Sequence, residues 1–433
     1  MKISPPPVKK LFGSAVILAL LLYHFFSFYG GAIGVNRSES GKTEYSDAET
    51  VIKLDGLVFR KSNGYNFTLK SISPDSTIDI TALNASDTEK YTFKIINVNP
   101  ERVEIKGANE ENIKRTRSSV IVSVARENAK KIETPAATTI PIATSARHGA
   151  SSTAGGLRRI EISQKQKDFF FYVWSDSKSE SPFSNIRGGY FVTKKIVDAA
   201  KKERPLFMMA MGDLMPSPKY HHYRRLNAFI KKMSPIPFYS APGNHDSAPK
   251  TKKMWEKAVS PPYYSFIKNG FLFIILDNSD GSFGSEQLAW LENKLKNNKN
   301  QKALLFFHKP LYDPRPDRNY VMENEKERDA LAQLLDKYAP AAVFASHIHG
   351  FWHYKKGETD FFITGGAGAK LYQINGFYHF LKFFPGDNGC LKWEIIKVTS
   401  SITPGFIFEF FCNLIFVFFV MKFLILRKTK NEL

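Results

Sequence analysis

Between residues 169 and 345 five short apolar runs of strand length each end near a residue able to bind a metal ion. The run 169–174 (FFFYVW) leads to Asp176, and 206–211 (LFMMAM) leads to Gly212-Asp213. The run 238–240 leads to Gly243-Asn244-His245-Asp246, and 303–307 (ALLFF) to His308. The last, 342–345 (AVFA), leads to Ser346-His347-Ile348-His349. Amphipathic segments at 192–202, 220–232, 286–296 and 328–337 lie between them, and their spacing predicts helices. The runs 263–267 and 271–276 flank Asn269-Gly270, a hairpin turn signal. This alternation predicts an α/β domain. In such sheets ligands collect at the carboxyl ends of the strands. A lone Asp after a strand is usually a turn former, and a lone His is usually a surface or core residue. Five successive strand ends instead bring Asp176, Asp213, Asn244, His245, His308, His347 and His349 toward one edge. That is a nitrogen and oxygen donor set for one or two first-row metal ions, without thiolate.

Composition narrows the alternatives. The chain has 433 residues, room for two or three domains. Its two cysteines, Cys390 and Cys412, exclude a disulfide scaffold and a cysteine-rich zinc site. The formal net charge is +20. No run interleaves aromatic residues with Arg and Lys as a nucleic-acid groove does, so no nucleic-acid partner is expected. The charge reads as a solvated Lys-rich surface, suited to an anionic membrane or a phosphate-bearing substrate.

Two terminal segments are read as transmembrane helices. Residues 11–36 contain no Asp, Glu, Lys or Arg, and 11–34 is long enough to span a bilayer. An uncleaved anchor competes here with a signal peptide cleaved near Gly30-Gly31-Ala32. Residues 406–426 (FIFEFFCNLIFVFFVMKFLIL) form the second segment, with Glu409 and Lys422 near its ends, where long side chains reach the interface. Lys2, Lys9 and Lys10 precede the first segment, and Arg427, Lys428 and Lys430 come after the second. By the positive-inside rule both termini are cytoplasmic, and 37–400 lies outside the cytoplasm, in a periplasm, lumen or extracellular space. The lipid bilayer is then a partner.

The outside region divides in two. Residues 76–80, 91–95 and 120–124 alternate as strands between turn residues, which predicts a small β-sandwich over 37–133. The stretch 134–160, rich in Ala, Thr, Ser, Pro and Gly, reads as a linker. The α/β domain occupies 161–400. Residues 1–36 form the amino-terminal anchor, and 401–433 the second membrane helix and its tail.

The order D…GD…GNHD…H…HxH resembles the calcineurin-like metallophosphoesterase superfamily. The resemblance runs from about 169 to 372 and takes in YYSFIKNGFLFIILDNS, EQLAWLENKL with ALLFFHKP, and DFFITGGAGA. The preceding β-sandwich is similar to the arrangement in purple acid phosphatases. The resemblance implies a four-layer α/β/β/α fold and hydrolysis of phosphate esters at Mn, Fe or Zn ions, one or two per chain. It implies that Asp213 bridges two metals, that Asp176 and His349 hold one, and that Asn244, His308 and His347 hold the other. His245 would be the general acid at the leaving group, oriented by Asp246. Two metals about 3.5–4 Å apart would polarise the phosphoryl oxygens and lower the pKa of a bridging water, whose hydroxide attacks in line.

The chain departs from the family pattern in places. The first motif is usually D-x-H, and here it is Asp176-Ser177-Lys178, so a ligand of the first metal is missing. Lys178 is either a surface lysine or a grip for a substrate phosphate, and Glu180 is the nearest replacement ligand. Pro216 stands where purple acid phosphatases carry a ligating Tyr, and Ser346 opens the motif that usually reads GHxH. Lys219, His221, His222, Arg224 and Arg225 read as a basic helix face, and His353 and Tyr354 as pocket-lining residues. The expected function is a membrane-anchored phosphoesterase acting outside the cytoplasm. One alternative is a phosphodiesterase of envelope glycolipid or lipid headgroups. The other is a catalytically weak binding or scaffold protein of the same fold.

Overall fold

In the computed structural model the residues described are 42–46, 50–63, 65–82, 90–125, 157–166, 169–178, 189–371, 376–386 and 390–399, with single helical positions between 411 and 422. The segment 11–34, most of 134–160, Glu180 and most of 406–426 lie outside them. Among the described residues no helix is long and apolar enough to cross a membrane.

The amino-terminal part forms two five-stranded sheets. One has the order β1 (Glu44–Ser46), β2 (Thr50–Asp55), β5 (Asp75–Ala82), β10 (Leu157–Gln164), β7 (Val103–Lys106). The other runs β3 (Leu57–Asn63), β4 (Asn66–Ser71), β6 (Lys90–Ile96), β9 (Ser119–Ala125), β8 (Ile113–Arg115). Alternate residues such as Ile78, Ile80, Phe93, Ile95, Val120 and Val122 meet in one core between them, as two half-buried sheets require. Strand β10 pairs with β5 and β7 and so belongs to this sandwich, although it comes after the Ala/Thr/Ser-rich stretch.

The second part has two mixed sheets. One is β13 (Phe238–Ala241), β12 (Met208–Met211), β11 (Phe171–Trp174), β20 (His379–Pro385), β21 (Leu391–Lys397). The other is β14 (Tyr264–Lys268), β15 (Phe271–Ile275), β16 (Lys302–Phe306), β17 (Ala342–Ala345), β19 (Thr359–Thr364), β18 (Phe351–Lys356). The two sheets share one core. Helices α1 (Gly189–Glu203), α2 (Tyr220–Met233) and α3 (Lys252–Ala258) cover the outer face of the first sheet. Helices α4 (Ser285–Asn297) and α5 (Glu325–Tyr338) cover the second. The layering is the expected α/β/β/α.

Among the described residues, ten buried phenylalanines lie in the core between the two sheets. Phe266, Phe273, Phe306, Phe344 and Phe362 stack across β14, β15, β16, β17 and β19, with ring centroids 4.8, 6.0, 4.5 and 5.0 Å apart in turn. Phe306 and Phe344 are register partners, as are Phe344 and Phe362. Cross-strand aromatic pairs of this kind hold register. Strands β11, β12 and β13 run parallel, and so do β15, β16 and β17. Register therefore decides whether their carboxyl ends line up.

The sandwich is bonded to this domain. Arg60 donates to the carbonyls of Glu256, Lys257 and Val259 at 2.7, 2.6 and 2.8 Å, closing the end of α3, and buried Lys70 also donates to Val259. Asn97 exchanges two hydrogen bonds with the backbone of Phe238 at the start of β13, as a strand neighbour would.

Phe344→Ala removes the ring at the middle of the aromatic stack. We expect a loss of about 3–5 kcal/mol, the usual range for a buried Phe, read from the denaturant unfolding of the α/β domain. A loss below about 1 kcal/mol would show that the stack does not hold the two sheets together.

Candidate metal centre

Two glycines let the loops meet. Gly212 has φ +88°, and a Cβ there would lie 2.4 Å from the Gly243 nitrogen. A Cβ on Gly243 would lie 2.3 Å from the Asp213 nitrogen and 2.5 Å from its Oδ1. The Gly-Asp and Gly-Asn turns thus pack backbone to backbone, which no side chain permits. Asp176, Lys178, Asp213 and His347 all take left-handed backbone conformations, with φ of 57°, 41°, 52° and 68°. Such strain gathers where the surrounding fold fixes a functional side chain.

Asp213 is fully buried. Its Oδ1 accepts from the His245 amide at 2.9 Å and lies 3.3 Å from His308 Nε2. Its Oδ2 lies 3.0 Å from Lys178 Nζ, in a geometry that is not a hydrogen bond. Asp176, also fully buried, accepts from the His347 amide through Oδ2 at 3.2 Å, and its Oδ1 faces His349 Nε2 at 3.3 Å. Ligand atoms of Asp213, His308 and His347 lie within 4.8 Å of one another, and so do those of Asp176, Asp213 and His349. Asn244 Oδ1 adds to the first group, 2.9 Å from His308 Nε2. The expected metal-ligating residues therefore converge in two groups that share Asp213.

The histidines are aimed by backbone carbonyls. His308 Nδ1 donates to Met211 at 2.8 Å, and His349 Nδ1 donates to Lys370 at 2.6 Å. Each leaves Nε2 toward the carboxylates, the orientation that metal-binding histidines need. Asn278, just beyond β15, accepts from the amides of His308 and Lys309 at 3.1 and 3.0 Å and so fixes that loop. Sequence reasoning passed over Asn278, although it stands after a strand as the ligands do. Ser346 donates to Met211 at 2.7 Å and lies 2.8 Å from His308 Nδ1, so it braces the ligand whose motif it alters.

The electrostatics are those of a cation site. Burial would raise the pKa of Asp213, but His308 and Lys178 hold it well below the carboxylate range. Burial would lower His308, but Asp213 and Asp176 push it up to about 9. His347, buried beside His308, is pushed down to about 3 and is neutral. Asp176 Oδ1 and Asp213 Oδ2 are buried without a hydrogen-bond partner. Asp213 Oδ2 is faced by the Lys178 ammonium at 3.0 Å and Asp176 Oδ1 by His349 Nε2 at 3.3 Å, so each buried carboxylate oxygen points at a group that can carry positive charge, the setting a metal ion would also need. This donor set fits first-row divalent or trivalent ions such as Mn, Fe or Zn.

His245 needs a correction. Its Nδ1 donates to the Pro216 carbonyl at 2.7 Å, which leaves Nε2 as the free nitrogen. Asp246 does not orient the ring directly. Its carboxylate accepts from Leu214, Met215 and Gly243 amides at 2.9, 2.9 and 3.1 Å and ties the two loops together. Burial and the charge on Asp213 push Asp246 up to about 8, against three donors that favour its ionised form.

Other residues fall outside the centre. His222 is held by the Ser217 carbonyl at 2.7 Å. His353 pairs with Asp360 at 2.9 Å and stacks on Phe362, and Tyr354 stacks on Phe361. Both are taken up by contacts within the β18–β19 hairpin.

Comparison with known proteins agrees with this geometry. Residues 174–351 match the family model of the calcineurin-like phosphoesterases, which supports that superfamily for this part of the chain. It is 28% identical over 164 residues to a probable glycerophosphodiester phosphodiesterase of Arcobacter nitrofigilis, covering 34% of this chain and 58% of that protein. It is 27% identical over 200 residues to a 3′,5′-cyclic-nucleotide phosphodiesterase of a Nostoc species, covering 44% of this chain and 73% of that one. A purple acid phosphatase from yellow lupin seeds is 15% identical, with 79% of this chain and 72% of that chain covered at a TM-score of 0.47. The chain spans a little over half the length of the first curated relatives, 58% and 57%.

The Lys178 ammonium beside Asp213 opposes a dication on the same oxygen. We expect wild-type protein to retain about one metal ion per chain after gel filtration and Lys178→His to retain about two, because an imidazole is an ordinary ligand in such sites. Elemental analysis of both proteins checks this. Two ions in the wild type, unchanged by the substitution, would show that another donor completes the first group.

Proposed function

We propose that the protein is a membrane-anchored, metal-dependent phosphoesterase that hydrolyses phosphate esters outside the cytoplasm. The observation that carries the catalytic part is the pair of buried, hydrogen-bond-free carboxylate oxygens, Asp176 Oδ1 and Asp213 Oδ2, within two donor groups that share Asp213. Asp213, His308, His347 and Asn244 would hold one ion, and Asp176, Asp213 and His349 the other. Ions in such a site supply Lewis acidity toward phosphoryl oxygens and lower the pKa of water.

The chain's own residues supply the rest. Asp213, through Oδ1, fixes the amide of His245 and so sets the distance between the metal ligands and the acid. The Pro216 carbonyl keeps a proton on His245 Nδ1, so Nε2 is the atom that gives a proton to the leaving oxygen when the ring is cationic. Asp246 holds the loops carrying Asp213 and His245 in one frame. Phosphodiesters are the favoured esters, because the Arcobacter and Nostoc relatives both carry phosphodiesterase names.

The membrane part rests on the apolar segments 11–34 and 406–426 and the basic residues flanking them. The exposed Phe411, Leu414, Ile415 and Phe418, at helical spacing, support it. Reporter fusions at Ser40 and Leu433 test the topology. A reporter on the cytoplasmic side at Ser40 would overturn it.

For the chemistry, purified His245→Ala is compared with wild type on an alkyl diester and on bis(4-nitrophenyl) phosphate. We expect kcat on the alkyl ester to fall by about 10²–10⁴, the usual worth of a general acid. The loss should be much smaller with nitrophenolate, which leaves without a proton, and metal content should be unchanged. Equal losses on both substrates would remove His245 from the acid role.

A further inference from the structure

The loop that carries Asn244 and His245 runs into α3, whose first residue is Lys252. Helix α3 covers the first sheet, yet this lysine pairs with acids of the second. Its ammonium lies 2.8 Å from Asp280 Oδ2 and 3.7 Å from Asp277 Oδ2. Both acids stand just beyond β15. Glu256, four residues on, is the local partner that helix geometry offers a lysine at this position. The side chain instead spans the line along which the two halves of the metal centre meet.

This contact closes a ring. On one side the backbone from Gly243 to Lys252 is a run of turns. The amides of Asp246 and Ser247 both donate to the Gly243 carbonyl at 3.0 Å, and those of Thr251 and Lys252 donate to the Ala248 carbonyl at 2.7 and 3.0 Å. The Ala248 amide donates to Thr251 Oγ1 at 2.9 Å. On the other side Asp277 precedes Asn278, which accepts from the amides of His308 and Lys309 and donates to the Lys309 carbonyl at 2.7 Å. Asn244 Oδ1 and His308 Nε2, 2.9 Å apart, complete the ring. Two ligands of one metal group thus hang from the two sides of one ion pair.

A fully exposed ion pair of this kind would be worth little. Here the acid end is buried, with Asp277 3% exposed. Its Oδ1 accepts from the amide and hydroxyl of Ser279 at 3.0 and 2.6 Å, and its Oδ2 faces Lys252. Gln287 of α4 clamps the Asp277 main chain, accepting from its amide at 2.7 Å and donating to its carbonyl at 2.8 Å. The acid end is therefore fixed, and the lysine end takes its place from it.

We propose that Lys252 is a positioning residue of the metal centre. By tying the loop 243–251 to Asp277 and Asp280 it sets the distance between Asn244 and His308, and with it the affinity for the ion that these two hold with Asp213 and His347. This role rests on the phosphoesterase reading and adds to it a residue that touches neither ion nor substrate. Groups that orient metal ligands from outside are worth about 10–100-fold in metal affinity.

Metal-stripped full-length protein titrated with Mn²⁺, with the free ion read from its electron paramagnetic resonance signal, tests this. Lys252→Met keeps the stem and removes the charge. It should raise the dissociation constant about tenfold, and Lys252→Arg should return it to within about threefold of wild type. At saturating Mn²⁺ the Lys252→Met protein should regain most of its turnover of bis(4-nitrophenyl) phosphate, because every ligand is intact. A Lys252→Met constant within about twofold of wild type overturns the proposal, even where the unfolding midpoint has dropped. If Lys252→Met does not fold, Asp280→Asn carries the same test by removing the shorter ion contact. A rise of about threefold or more then supports the proposal, and no rise overturns it. Protein that binds Mn²⁺ in a Lys252-dependent way but hydrolyses no ester would sink the phosphoesterase reading and leave the role of Lys252 standing.

Discussion

The Asp213 carboxylate is the point on which this structure turns. It is wholly buried, it belongs to both metal-ligand groups, and through Oδ1 it also holds the amide of His245. A buried carboxylate is tolerated only where positive charge or donors surround it. His308, Lys178 and the His245 amide are the partners seen here, and they keep it ionised. Each of those partners comes from a different strand end. The requirement to satisfy one carboxylate therefore constrains the loops after β11, β13 and β16 at once.

Those loops meet because the two sheets are locked face to face. The stacked phenylalanines tie β14 through β19, and Phe171 and Phe383 carry the same core into the other sheet. A shift of one residue in any of these strands would turn an aromatic ring out of the core and carry a metal ligand with it. Core packing and site geometry are in this sense one constraint. The sandwich adds to it at the opposite edge, where Asn97 bonds to the start of β13, the strand that leads to Asn244 and His245.

Much of this was legible in the sequence because each parallel strand leaves two marks there, an apolar run and a polar residue just beyond its carboxyl end. Asp176, Asp213, Asn244, His308, His347 and His349 each stand within a few residues of such a run, and all six converge. Less was legible where the partner is backbone or lies far along the chain. The Pro216 carbonyl that aims His245 has no side-chain signature, so Asp246, the adjacent carboxylate, looked like the orienting group. Among the described side chains of strand β10, Ile160 and Ile162 belong to the sandwich core, and its pairing partners β5 and β7 lie far back in the chain.

The departure at Lys178 is what distinguishes this centre from the family pattern, and its consequence is a contest between an ammonium and a metal ion for Asp213. Anomalous diffraction from crystals of the full chain grown with Mn²⁺ tests that centre most directly. The account predicts a peak about 2–2.2 Å from Asp213 and shared with His308 and His347, ordinary ligand distances for such sites. It predicts as well that Lys178 Nζ is displaced from Asp213 wherever a second peak appears beside Asp176 and His349. Density showing no metal at Asp213, with the lysine still paired to it, would contradict the account.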